Sequence, residues 1–178
     1  MLTVIIGPMF SGKTTYLIDI YNNNKKNNKN TLVINHSYDT RYGNMGLTNH
    51  NKVTIPCIKI KKLQDVYKIL NNQKNIKYDS ILINEGQFFP NLYNVVYTLI
   101  NSNYNIYVCG LDADSNMKKF GNILDIIPLA ENVLKLKSKC KICQSSASFT
   151  KRLIKSNKQI VIGDSNIYIP VCRNCFYK

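Results

Sequence analysis

The 178-residue sequence has no long apolar run free of charged residues, so we expect no membrane-spanning helix and no membrane partner. It also lacks the basic region and cleavage site of a secretory leader, because its first six residues are mainly apolar but continue directly into a glycine loop. Nothing recurs at a fixed period, which argues against a repeat architecture. These absences together predict an intracellular, cytoplasmic protein.

Acidic residues are scarce: 10 Asp and Glu stand against 24 Lys and Arg, a formal net charge of +14. Such an excess is typical of proteins that bind nucleic acid. However, Lys, Asn, Ile and Tyr are all abundant and all have AT-rich codons, so the base composition of the genome explains the charge equally well. Histidine is scarcer still. His36 and His50 have neither metal-ligand nor catalytic-triad spacing, and we expect both to be structural.

The most informative stretch is Gly7-Pro-Met-Phe-Ser-Gly-Lys13-Thr14, which fits G-x-x-x-x-G-K-S/T, the phosphate-binding P-loop. The β-branched run Leu2–Ile6 before it predicts a buried strand, and residues 15–21 after it predict a helix. Glycines let the backbone approach an anion, Lys13 would reach the β- and γ-phosphates, and Thr14 would bind Mg²⁺. A chance match in a glycine turn is the alternative, and the strand–loop–helix context argues against it.

Further apolar strands are predicted at Thr31–Asn35, Ser80–Asn84 and Asn105–Cys109, with helices around residues 63–70 and 91–102 between them. Strands alternating with helices predict an α/β fold, a parallel sheet with helices on both faces. The polar segment 22–30 is expected to end the first helix in a solvated loop. Residues 36–53 show no periodicity, and so long a loop is usually functional or mobile.

Glu85 follows a buried strand, which places it at the carboxyl edge of the sheet where α/β folds bind ligands. A carboxylate there can accept a hydroxyl proton or help to organise Mg²⁺, although an exposed glutamate at a strand end is the simpler alternative.

Asp39 and Arg41 in the long loop could assist the metal and stabilise phosphoryl charge, or form an ordinary surface pair. The adjacent Phe88 and Phe89 could wall a pocket for a flat ring, although such a pair is more often core.

Four of the six cysteines form two Cys-x-x-Cys pairs near the C-terminus, a spacing that predicts a structural zinc site. The proposed metal ligands are Cys140, Cys143, Cys172 and Cys175. The 28 residues between the pairs must loop out from the metal and return, which would hold an otherwise structureless segment over a ligand. Four separate buried thiols are the alternative. Cys57 and Cys109 are interpreted as ordinary buried or partly buried cysteines.

In order along the chain, these motifs resemble the thymidine kinase family of animals, bacteria and poxviruses, most closely its poxvirus members. The matching segments are Gly7–Thr14, Asp39-Thr-Arg-Tyr42, Glu85-Gly-Gln-Phe-Phe-Pro90, Gly110-Leu-Asp112, Phe120-Gly121, Pro128-Leu-Ala-Glu131, Thr150-Lys-Arg-Leu153 and Val171-Cys-Arg-x-Cys175. The resemblance implies a RecA-like P-loop α/β domain at residues 1–138 and a small zinc-binding lasso module at residues 139–178.

The resemblance also implies phosphoryl transfer from Mg-ATP to the 5′-hydroxyl of deoxythymidine, with Glu85 as general base and Lys13 and Arg41 neutralising the transferred group. The residues implied in ATP and Mg²⁺ binding are Gly7, Pro8, Met9, Phe10, Ser11, Gly12, Lys13, Thr14, Asp39 and Asn84. Those implied around the nucleoside are Met9, Phe88, Leu111, Ser115, Phe120, Thr150, Gln159, Ile160, Val161, Ile162, Gly163 and Tyr168. Family members are usually homotetramers inhibited by thymidine triphosphate (dTTP), and no specific nucleic-acid partner is expected.

The chain departs from the family pattern at two points. Asn84 stands where the family has aspartate, and its amide can hydrogen-bond a metal-bound water without adding negative charge. Ser115 stands where an aromatic residue packs on the base, a loss worth on the order of 1 kcal/mol that could widen base selectivity. Ser115 leaves a deoxynucleoside kinase of broader base selectivity as an alternative, and Asn84 leaves an inactive ATP-binding regulator. The basic charge and the cysteine pairs leave a third alternative, a nucleic-acid-stimulated P-loop ATPase with a zinc module.

Overall fold

The computed structural model describes residues 1–39, 46–73 and 76–178. Its centre is a six-stranded sheet whose neighbouring strands all pair in parallel. In spatial order the strands are β5 (Ile58–Ile60), β2 (Thr31–His36), β6 (Ser80–Ile83), β7 (Asn105–Gly110), β1 (Leu2–Ile6) and β8 (Asn132–Lys135). The parallel α/β fold predicted from the sequence is confirmed.

Helices cover both faces of this sheet. Alternate residues of each strand point to opposite sides, and the apolar residues on each side pack against helices. On one face, Ile5 and Leu82 pack against Leu17 and Ile18 of α1 (Lys13–Lys26). On the other face, a larger cluster holds the alternate strand residues together with α2 (Asp65–Asn72), α3 (Leu92–Asn101) and a 3-10 helix at Ile123–Leu129. Within the described residues, no helix is long and apolar enough to cross a membrane.

Four predicted strands agree with the structure to within one residue, whereas β5 and β8 were not predicted. The predicted loop 36–53 contains β3 (Leu47–Thr48), which forms a short antiparallel hairpin with β4 (Thr54–Ile55). Residues 22–26 of the polar segment 22–30 belong to the C-terminal end of α1, and residues 27–30 connect this helix to β2.

The C-terminal residues form two small antiparallel pairs with a core of their own. β9 (Ser138–Lys139) pairs with β10 (Ser146–Ala147), and β11 (Phe149–Arg152) pairs with β12 (Tyr168–Val171). The short helix α4 (Arg173–Phe176) closes the chain. The core of this region consists of Cys140, Ala147, Val171 and Cys175.

Candidate active site

The loop between β1 and α1 adopts a conformation that glycine permits at two positions. Gly7 has φ 146° and Gly12 has φ 84°, and a Cβ on Gly7 would lie 2.4 Å from the carbonyl oxygen of Leu136. The φ of Gly7 and the clash that its Cβ would make require glycine at this position, whereas the left-handed conformation of Gly12 favours glycine without a clash. The loop leads directly into the N-terminus of α1, where backbone N–H groups favour an anion.

Lys13 lies folded over this loop. Its ammonium donates hydrogen bonds to the carbonyl oxygens of Gly7 at 3.0 Å and Pro8 at 2.6 Å. The positive charge is thus held at the mouth of the loop, next to the N-terminus of α1. Both features favour binding of a phosphate at this position.

Residues far along the chain hold the P-loop from the other side. The hydroxyl of Thr150 accepts a hydrogen bond from the backbone N–H of Met9 at 2.9 Å, and the hydroxyl of Ser138 donates to the carbonyl of Phe10 at 2.9 Å. Thr150 is buried in β11. The phosphate-binding loop is therefore attached directly to the C-terminal region.

Glu85 stands two residues beyond the last residue of β6, in a left-handed backbone conformation with φ 56° and ψ 43°. The side-chain amide of Gln87 donates to Glu85 Oε2 at 2.5 Å, and its carbonyl oxygen accepts the backbone N–H of Leu111 at 3.0 Å. Gln87 is buried, so this bridge orients the carboxylate from within the fold. The sequence did not reveal this role of Gln87.

A chain of buried polar side chains runs beneath this edge of the sheet. The Cys109 thiol donates to Asn84 Oδ1 at 3.0 Å, Asn84 Nδ2 donates to Asn35 Oδ1 at 2.9 Å, and Asn35 Nδ2 donates to Asp39 Oδ2 at 3.1 Å. All four residues are at most 8% exposed. Both ends of the Asn84 amide thus hydrogen-bond within the protein, and Cys109 takes part in the network beyond being a buried cysteine.

The P-loop, Glu85 and the C-terminal region surround one pocket, whose volume including the solvent at its mouth is about 1080 Å³. From the ATP and Mg²⁺ group, the lining includes Met9, Phe10, Ser11, Gly12, Lys13, Thr14, Asp39 and Asn84. From the nucleoside group it includes Met9, Phe88, Leu111, Ser115, Phe120, Thr150, Gln159, Ile160, Val161, Ile162, Gly163 and Tyr168. Gly7 and Pro8 do not line it. Their carbonyls hold Lys13 instead. Arg41 lies outside the described residues.

Aromatic side chains form one wall of the pocket. Phe88 and Phe120 meet edge to face with centroids 5.6 Å apart, and Tyr38 packs against Phe88 at 5.6 Å. Phe89 is fully buried in the sheet core, so of the two adjacent phenylalanines only Phe88 faces the pocket. This arrangement suits a flat ring, which binds well between aromatic and apolar side chains.

The two histidines lie in different environments. His36 is buried against Phe89, with centroids 4.7 Å apart, and its Nδ1 accepts the backbone N–H of Tyr38 at 3.0 Å. Burial lowers the pKa of His36 below its ordinary value. His50 instead lines the pocket, and its ring centroid lies 5.1 Å from that of Phe10. The sequence contained no signal for this position because His50 belongs to no recognisable motif.

Residues 153–167 form a closed loop between β11 and β12, which we call the β11–β12 loop. At its neck, the N–H of Leu153 donates to the carbonyl of Ile167 at 2.8 Å. Inside it, the Arg152 guanidinium donates to the carbonyl of Lys158 at 2.8 Å, and the Tyr168 hydroxyl donates to that of Val161 at 2.8 Å. The loop has no helix or strand of its own, and these hydrogen bonds hold it beside the pocket.

The four cysteines of the two Cys-x-x-Cys pairs come together, with their sulfur atoms within 4.8 Å of one another. Cys143 and Cys172 are 3.6 Å apart, close to the roughly 3.8 Å edge of a tetrahedron with zinc–sulfur bonds of about 2.3 Å. Burial opposes ionisation of Cys140, but backbone N–H groups outweigh it and lower the pKa of this thiol, whereas burial and the neighbouring cysteines raise the pKa of Cys175. The donor set therefore fits a structural zinc ion.

Comparison with known proteins agrees with this geometry. The family model described as thymidine kinase matches residues 1–176. The thymidine kinase of Yaba monkey tumor virus (strain VR587) is 40% identical over 175 residues, covering 98% of this chain and 93% of the relative. The thymidine kinase of Myxoma virus (strain Uriarra) is 39% identical over 174 residues, covering 98% and 94%. The cytosolic thymidine kinase of Gallus gallus is 37% identical over 177 residues, covering 99% and 77%.

Proposed function

The chain belongs to the thymidine kinase family, and we propose that it transfers the γ-phosphoryl group of Mg-ATP to the 5′-hydroxyl of deoxythymidine, giving dTMP for DNA precursor synthesis. The observation that carries this proposal is the shared pocket. The P-loop, Glu85 and the β11–β12 loop all line the same cavity, which supports binding of a phosphate donor and a nucleoside acceptor beside each other. Bringing two substrates together in one cavity accounts for much of the catalysis of phosphoryl transfer.

On the acceptor side, we assign Glu85 as the general base. Its carboxylate lines the pocket, and the Gln87 amide holds it there through a hydrogen bond of 2.5 Å to Oε2. The buried Gln87 supports this assignment because it fixes the carboxylate where it faces the cavity. The carboxylate would take the proton of the 5′-hydroxyl as that oxygen attacks phosphorus.

On the donor side, Lys13 is proposed to leave the carbonyls of Gly7 and Pro8 and to neutralise charge on the transferred phosphoryl group. The Thr14 hydroxyl and the Asp39 carboxylate supply oxygen donors of the kind that Mg²⁺ prefers, and both line the pocket. Bound Mg²⁺ supplies positive charge to the phosphate oxygens. Asn84 contributes by holding Asn35, which in turn orients Asp39. Arg41 remains proposed as a second neutralising group.

On the nucleoside side, the aromatic wall of Phe88 and Phe120 suits a pyrimidine ring, and residues 159–163 offer backbone groups for its polar edge. Ser115 lines this region with a small hydroxyl side chain. A serine there leaves room that a larger side chain would fill, which supports a selectivity broader than thymidine alone.

The four-cysteine cluster is proposed to bind zinc and so to hold the β11–β12 loop through the two strands that carry it. The division into a P-loop domain at residues 1–138 and a lasso module at residues 139–178 also remains a proposal. It is supported by the separate small core around Cys140 and Cys175.

Assembly and regulation are proposed from the family resemblance alone. These proposals are a homotetramer, feedback inhibition by dTTP occupying the nucleoside site, and a viral origin with activity in the host cytoplasm. The chicken relative is named as cytosolic and several relatives are viral proteins, which supports the last of these.

The test is to incubate the protein with Mg-ATP and each deoxynucleoside in turn, and to identify 5′-monophosphates by mass spectrometry. Deoxythymidine should give the highest rate. The Glu85→Gln variant, purified identically, controls for a contaminating kinase. The absence of product with every pyrimidine deoxynucleoside would overturn the proposal.

A further inference from the structure

A turn at residues 112–120 holds a buried carboxylate. Asp114 is 6% exposed, and its Oδ1 accepts the backbone N–H groups of Asn116 at 2.8 Å and Lys118 at 3.0 Å. Its own backbone N–H donates to the carbonyl of Lys118 at 2.9 Å. The side chain is therefore fixed within its turn, with one oxygen, Oδ2, directed away from these backbone donors.

Gln159 of the β11–β12 loop binds that second oxygen. Its Nε2 donates to Asp114 Oδ2 at 2.9 Å and to the carbonyl oxygen of Lys119 at 3.3 Å. The other hydrogen bonds described for this loop run within residues 152–168, whereas these two join it to residues 1–138. One of them is made to a charged acceptor, which makes it stronger than a neutral hydrogen bond.

Asp114 and Gln159 both line the pocket. Ser115, which follows Asp114, and residues 160–163, which follow Gln159, line it as well. Because residues 160–163 follow Gln159 directly, a bond that fixes Gln159 also restrains these residues against the cavity. We propose that the Asp114–Gln159 hydrogen bond is a latch that sets the closed position of the β11–β12 loop over the nucleoside. Asp114 is then a positioning residue for substrate binding. The inference rests on the proposed function for the identity of the ligand.

Two substitutions can first remove this hydrogen bond and then restore one of the same kind. Gln159→Glu places a carboxylate against the Asp114 carboxylate, so the two side chains repel instead of bonding. Adding Asp114→Asn supplies an amide that can donate to the introduced carboxylate, while its own oxygen still accepts the N–H groups of Asn116 and Lys118. The matched control is Asn157→Asp, which adds the same charge to an exposed position of the same loop.

The kinetic readout separates KM from kcat. Gln159→Glu should raise KM for deoxythymidine by about 10-fold to 100-fold, the range that a hydrogen bond to a charged group contributes. The KM for ATP and the kcat at saturating nucleoside should change by less than about twofold, because residues at the phosphoryl group are untouched. The double variant should recover most of the lost affinity. An equal KM increase in Asn157→Asp, or no recovery in the double variant, would overturn the latch.

A second measurement does not depend on the activity. Amide hydrogen exchange without substrate should be faster in residues 159–163 of Gln159→Glu and should return towards the native rate in the double variant. If exchange follows this pattern but the native protein phosphorylates no deoxynucleoside, the proposed function fails and the latch stands. If exchange in the loop is the same in all variants, the latch fails whatever the enzyme phosphorylates.

Discussion

The side-chain amide of Asn84, the residue after β6, donates a hydrogen bond of 2.9 Å to Asn35 Oδ1 on the neighbouring strand β2. Asn35 Nδ2 in turn donates a hydrogen bond of 3.1 Å to Asp39 Oδ2. The residue before Glu85 is therefore connected, through one intermediate side chain, to a carboxylate that also lines the pocket. The family resemblance implies an aspartate at position 84, and an ionised carboxylate there could not donate the hydrogen bond that the Asn84 amide gives to Asn35.

Replacing Asn35 should destabilise the protein. Asn35→Ala leaves the Asn84 amide without its acceptor and removes a donor from Asp39, both in buried positions. An unsatisfied buried polar group costs about 1–3 kcal/mol, so we expect a loss of this size in the free energy of unfolding. Urea denaturation measures it. Asn101→Ala, at an exposed helix end, is the control and should change stability by less than about 0.5 kcal/mol.

Replacing Glu85 should remove turnover while leaving ATP binding intact. Glu85→Gln keeps an oxygen that can accept the Gln87 amide but removes the group that takes the proton. General-base catalysis contributes about 10²–10⁴-fold, so kcat should fall within that range. Single-turnover kinetics measures the chemical step, and calorimetry measures ATP affinity. A variant that retained near-native kcat would assign the proton transfer to another group.

Removing the metal should destabilise the small C-terminal core that contains the four cysteines. Cys143→Ser changes an exposed member of the four-cysteine cluster with little disturbance of packing, and it should reduce bound zinc from about one ion per chain to near zero. The melting temperature should fall, because the cluster lies in the core that carries β11 and β12. Mass spectrometry of the native protein measures the metal. Cys57→Ser, outside the cluster, should retain it.

Stability should fall in mild acid because of His36. Burial lowers the pKa of this imidazole from its ordinary 6.5, so below pH 6.5 the unfolded chain binds a proton that the folded protein does not. The contribution is fully present above pH 6.5 and is lost progressively as the pH falls towards the lowered pKa. His36→Asn keeps an acceptor for the Tyr38 N–H but does not titrate. Urea unfolding between about pH 5 and pH 8 should show a smaller acid loss in this variant. A constant stability difference between the two proteins over that range would contradict the assignment.

Much of the sheet could be predicted because its central strands are buried on both faces. Residues 2–6 and 80–83 are mainly apolar runs in which every residue is buried, and strands form there. The edge strands gave no comparable signal: β5 is three residues with a lysine at its centre, and β8 is largely exposed. Short strands with one polar face do not stand out from loops by periodicity.

The site shows a similar division. The position of Glu85 directly after an apolar strand predicted that it lies at the carboxyl edge of the sheet, and the Cys-x-x-Cys spacing predicted that the four cysteines lie together. Hydrogen bonds between Cys109 and Asn84, or between Asp114 and Gln159, join residues 25 and 45 positions apart. They depend on strand register and loop path, which local patterns do not encode.

The bond from the Met9 N–H to the Thr150 hydroxyl has a consequence for the order of events during synthesis. The two residues are 141 positions apart, so the P-loop leaves the ribosome long before its partner exists. At about 5–20 residues per second, that interval lasts on the order of ten seconds. The P-loop is among the first segments translated and one of the last to obtain all its native restraints, so a nascent chain stalled before residue 150 would carry an incompletely anchored P-loop.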